Sequence, residues 1–74
     1  MLEHLRALRE DRDLSQKDMA QLLNIHQTTY SDYELGRLNV PISALVQLAR
    51  FYETSVDYLL GLTDVREPYP RKRA

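Results

Sequence analysis

The sequence predicts an all-α domain of five short helices. Three observations carry that reading. Apolar residues recur at three- and four-residue spacing, no stretch alternates apolar and polar with the period of two that a half-buried strand needs, and the periodic segments are punctuated by helix starters and stoppers such as Ser15, Asn24, Gly36, Pro41 and Gly61. With 74 residues, of which 43% are hydrophobic, the chain can build one core and bury a modest share of its surface.

The first helix is expected over residues 2–12, where Leu2, Leu5 and Leu8 stand among charged helix formers, with Asp13 as its breaker. Ser15 followed three residues later by Asp18 resembles a capping box, so a second helix should run from about 16 to 23 with Met19, Ala20, Leu22 and Leu23 as its apolar stripe. Asn24 tolerates a left-handed backbone and can end that helix sharply before Ile25 turns inward. Gln27 to Leu35 gives a third helix of about two turns, seated by Tyr30 and Tyr33, polar elsewhere, and stopped by Gly36. After Pro41, Ile42, Leu45, Leu48, Ala49 and Tyr52 predict a fourth helix. Thr54 or Ser55 can cap a fifth, with Val56, Leu59 and Leu60 toward the core and Gly61 as its end. From residue 63 to 74 two prolines and a basic cluster offer little to a core and read as a flexible basic tail.

Composition narrows the function. The chain has no cysteine, and His4 and His26 lie on separate segments without the spacing of a histidine metal site, so no metal or cofactor is expected. No nucleophile elbow or Gly-rich phosphate loop occurs, and five small helices leave no room for a deep pocket, which argues against an enzyme. The apolar runs are too short to span a bilayer, so a cytoplasmic protein without membrane association is expected. Charge is the awkward number: up to Val65 six basic residues face ten acidic ones, so a surface for a polyanion has to be a local patch.

Two short helices joined by a tight turn, the second presenting polar side chains from its first half, are what the DNA major groove admits. The run from Leu14-Ser15-Gln16-Lys17-Asp18-Met19-Ala20 to Asn24-Ile25, then Gln27-Thr28-Thr29-Tyr30-Ser31-Asp32-Tyr33-Glu34-Leu35-Gly36-Arg37, resembles the Cro and phage-repressor type of helix-turn-helix domain, the XRE-like family. Ser55-Val56-Asp57-Tyr58-Leu59-Leu60-Gly61 is similar to that family's closing helix. The resemblance covers residues 2–62, with the helix-turn-helix at about 16–35, and implies a five-helix lambda-repressor-like fold and a repressor that binds double-stranded DNA. It departs from the common pattern at Asn24, where glycine is frequent, and at His26, where Ser or Thr is the ordinary N-cap.

The resemblance maps base reading onto Gln27, Thr28 and Asp32. Glutamine can bond adenine at two points, threonine can bond a base edge or touch a thymine methyl, and aspartate can accept from a cytosine amino group. Backbone contacts map onto Gln16, Lys17, Thr29, Ser31, Arg37 and Asn39, with Gln16 at the positive end of the second helix. Arg9 and Glu34 match a pair that forms an internal salt bridge in related repressors. Neutral His26 can accept a backbone bond and protonated His26 can meet a phosphate, which leaves open a pH dependence of binding. Family members usually bind two half-sites as symmetric dimers, so a homodimer is expected, with Leu35, Leu38, Tyr58, Leu62 and Tyr69 as candidate contacts. The rival reading is a helix-turn-helix module that binds protein, such as the antitoxin of a toxin-antitoxin pair, for which the third helix would have to expose large apolar residues.

Overall fold

The computed structural model of the chain describes residues 2–68, within which five helices follow one another: α1 (Glu3–Asp11), α2 (Gln16–Leu23), α3 (Gln27–Leu35), α4 (Ile42–Phe51) and α5 (Val56–Leu59). No strand occurs among the described residues, and no helix there is long and apolar enough to cross a membrane. Tyr69 and the basic Arg71, Lys72 and Arg73 lie outside the described residues.

Each boundary has a local cause. Asp13 closes α1 with a left-handed backbone, φ 55°, and its N–H donates to Glu10 O. Ser15 and Asp18 complete a reciprocal capping box: Ser15 Oγ accepts from the Asp18 N–H at 3.0 Å, and Asp18 Oδ2 accepts from the Ser15 N–H at 2.8 Å. Asn24 is left-handed at φ 57°, which lets the Ile25 N–H turn back to Ala20 O and keeps the α2–α3 turn short. Gly36 does the same for α3. Of the two candidate caps for α5, Ser55 takes the role, its Oγ accepting from the Tyr58 N–H. The buried Thr54 hydroxyl instead donates to Arg66 O at 2.6 Å, fastening the segment beyond α5 to the end of α4. His4 adds a second attachment: Nδ1–H donates to Tyr58 O, the ring stacks on Tyr58, and Nε2 lies 3.6 Å from Asp64 Oδ1.

The core gathers one face of every helix, with Leu5 and Leu8 of α1, Met19 and Ala20 of α2, Tyr30 and Tyr33 of α3, Leu48 and Ala49 of α4, then Tyr52 and Leu59. The Tyr52 hydroxyl finds its partner inside that core, donating to Met19 Sδ at 3.2 Å, and burial pushes its pKa up to about 12.

Two residues expected in the core lie outside it. Ile42 is 80% exposed, because the first turn of α4 follows the exposed Pro41 and overhangs the packed region that begins at Leu45. Leu60 is 40% exposed, because α5 is a single turn ending at the buried Leu59 and Leu60, its C-cap, falls at the rim.

Candidate nucleic-acid interface

α2 and α3 pack against each other across Asn24, Ile25 and His26, and α3 stands on the core through Tyr30, Tyr33 and Glu34. With those three positions turned inward, the helical period turns 27, 28, 31 and 32 outward as one strip. Gln27 and Thr28 are exposed, and Thr29, Ser31 and Asp32 are partly exposed. α3 carries no lysine or arginine, so the strip is neutral apart from Asp32. Its polar character, without a large apolar side chain, suits base edges better than a protein surface.

Other expected contacts flank this strip. Gln16 and Lys17 begin α2, Lys17 exposed and Gln16 partly so. Arg37 and Asn39 follow α3 and are exposed, with the Arg37 N–H returning to Asp32 O at 2.9 Å so that the chain leaves α3 in a fixed direction. His26 makes no side-chain cap for α3 and stands exposed at its start.

Behind the strip lies a buried ionic centre. Arg9 Nε donates to Glu34 Oε2 at 2.7 Å, Nη2 donates to Glu34 Oε1 at 3.2 Å, and Nη1 donates to Leu14 O at 2.9 Å. The two side chains are 12% and 4% exposed, so the fork-to-fork geometry is held away from solvent. Gln16 Nε2 reaches the same carboxylate at 3.4 Å, and the Leu2 N–H donates to the backbone carbonyl of Glu34 at 2.8 Å. One residue of α3 thus fastens α1 and α2 to the helix that carries the outward polar strip.

Burial by itself would raise the Glu34 pKa, but the bonds from Arg9, aided by the closeness of the Tyr30 phenol, outweigh it and hold the carboxyl below its usual range. The Tyr30 phenol, fully buried, is pushed well above its ordinary value by burial and then by that carboxylate, although its hydroxyl makes no hydrogen bond of good geometry. Asp18, bonded to the Ser15 N–H, is also lowered. A carboxylate whose folded pKa is depressed stabilises the fold above its unfolded pKa and loses that contribution as pH falls through the folded value. Thermal stability is therefore expected to drop as pH falls below about 4.3, the ordinary glutamate value. In a pH series of melting temperatures, the gap between the wild type and Glu34→Gln should shrink over that acid range.

Arg6 was absent from the expected contacts, yet it lines an open groove with Arg9, Gln16, Ser31, Glu34 and Leu35. The signal that could have found it is its spacing of three from Arg9 on one helix face. No group of three or more histidine, cysteine, aspartate or glutamate side chains fit to hold a metal occurs among the described residues.

Comparison with known proteins gives a consistent neighbourhood. A helix-turn-helix family model matches residues 5–59. An uncharacterized HTH-type transcriptional regulator, YobD of Bacillus subtilis, is 41% identical over 66 residues, covering 89% of this chain and 59% of the relative. The HTH-type transcriptional regulator AnsR of the same organism is 34% identical over 70 residues, covering 95% of this chain and 60% of the relative. Among solved structures, a transcriptional regulator from Listeria innocua superposes with a TM-score of 0.77 at 30% identity, covering 95% of this chain and 64% of that one. The chain therefore spans roughly three fifths of the length of the two curated relatives.

Proposed function

Since the chain belongs to the helix-turn-helix family of the Cro and phage-repressor (XRE-like) type, we propose that it is a sequence-specific duplex-DNA-binding transcriptional repressor acting in the cytoplasm, not an enzyme. The observation that carries this reading is the outward strip of Gln27, Thr28, Ser31 and Asp32 on a helix seated by two buried tyrosines. Gln27, Thr28 and Asp32 read base edges. Gln16, Lys17, Thr29, Ser31, Arg37 and Asn39 meet the sugar-phosphate backbone and fix the register. Repression needs nothing beyond occupancy of the site.

A homodimer on two half-sites supplies the contact area that one small domain lacks. A groove lined mainly by apolar residues, Leu2, Tyr33, Leu38, Val40 and Leu60, with Gly36 and Asn39 also on its wall and Leu35 and Leu62 exposed elsewhere, supports the pairing surface.

The test is fluorescence anisotropy on duplexes selected from a random library, at two salt concentrations. Gln27→Ala is expected to lose about 1–3 kcal/mol of discrimination at its base pair, relaxing sequence preference there. Arg37→Ala is expected to weaken all duplexes alike and flatten the log-affinity against log-salt slope by about 0.9. If no duplex is enriched even at low salt, DNA recognition is overturned in favour of a protein partner such as a toxin.

A further inference from the structure

The groove between α1, the start of α2 and the flank of α3 is lined by two guanidinium groups, Arg6 and Arg9, against one carboxylate, Glu34. Arg9 is spent. Its three nitrogens bond Glu34 and Leu14 O, and its charge is matched by the buried carboxylate. Arg6 is differently placed. It faces Glu10 one turn along α1 at 3.6 Å, with the two side chains 52% and 55% exposed, a separation longer than a charge-assisted hydrogen bond and an attachment that solvent and salt weaken. A long side chain so loosely held can leave its partner at little cost. It borders the same groove as the Gln16 amide and the Ser31 hydroxyl, one at the start of α2 and the other on the recognition strip.

We infer that Arg6 is a further DNA-backbone contact, outside the helix-turn-helix, which takes a phosphodiester lying along this groove beside Gln16 and Ser31 and which Glu10 holds when DNA is absent. The inference rests on the duplex-DNA reading above and adds to it a site on α1. The chemistry favours it, since a guanidinium meets two phosphate oxygens in parallel bonds where an ammonium offers a point charge. The chain's charge favours it as well: with ten acidic and six basic residues up to Val65, each cation beside the recognition strip carries an unusually large share of the attraction to DNA.

The experiment compares the wild type, Arg6→Ala, Arg6→Lys, Glu10→Gln and the double variant Arg6→Ala/Glu10→Gln on one selected duplex and one scrambled duplex across a salt series. Arg6→Ala is expected to weaken both duplexes by the same factor and to flatten the salt slope by about 0.9, so that its deficit shrinks by about 3.5-fold between 50 and 200 mM salt. Arg6→Lys should restore the slope with part of the affinity. Glu10→Gln should tighten binding, and tighten it less when Arg6 is already alanine, the non-additivity that marks action through Arg6 rather than through general charge. An unchanged slope in Arg6→Ala, on a wild type that selects its duplex and loses preference with Gln27→Ala, overturns this inference and leaves the DNA reading standing. A wild type that selects no duplex overturns both.

Discussion

Glu34→Ala is expected to lower the free energy of unfolding by about 3–5 kcal/mol, the cost of stranding a buried charge by removing its partner. The geometry places this change at the upper end of what one surface-distant residue can do. The carboxylate is 4% exposed, receives two bonds from Arg9 and one from Gln16, and has the Tyr30 phenol beside it. Without it the Arg9 guanidinium keeps only Leu14 O. Single domains have about 5–15 kcal/mol in total, so the variant should be substantially unfolded at moderate urea, and denaturation monitored by circular dichroism measures the shift. Replacing both partners by apolar residues of similar size, Arg9→Met with Glu34→Leu, should recover most of the loss, because no charge is then buried. An equally small effect of Glu34→Ala and of an exposed control such as Glu53→Ala would sink the assignment.

Leu48→Ala is the second large effect, with an expected loss of about 2–5 kcal/mol from the removed apolar transfer energy and the cavity left behind. Leu48 is fully buried at the centre of the α4 face, between the positions of Leu45 and Tyr52, in the cluster that also holds residues of α1, α2, α3 and α5. The same denaturant titration measures it. The two variants should part company on DNA. At temperatures where both are folded, the proposed contacts predict that Leu48→Ala binds a selected duplex as the wild type does, whereas Glu34→Ala, which frees the Gln16 amide, binds it more weakly.

The architecture was legible because its signals are local. Ser15 with Asp18, Asn24, Gly36, Ser55 and Gly61 act through bonds or backbone angles within a few residues of themselves, and these starters and stoppers together with the apolar spacing placed α2 at about 16–23 and α3 at Gln27 to Leu35. The failures are tertiary. Ile42 and Leu60 satisfy the helical period, but a period states which face a residue occupies and not whether another element covers that face. Thr54 and Ser55 were indistinguishable as caps because both carry a hydroxyl, and only the passage of Arg66 across the end of α4 assigns the first of them another partner. At the candidate interface, Gln27, Thr28 and Asp32 were named through the family resemblance, whereas Arg6 required knowledge of which flank of α1 borders the start of α2.

The two attachments of Glu34 reach opposite ends of the first helix, its backbone carbonyl holding the Leu2 amide and its side chain holding Arg9. Amide hydrogen exchange exposes what that arrangement does in time. The first amides of a helix ordinarily fray and exchange fast, whereas the Leu2 proton is bonded to the last turn of α3 and is expected to exchange more slowly. The lifetime of the Leu2 amide therefore reports how often the start of α1 and the last turn of α3 part from each other.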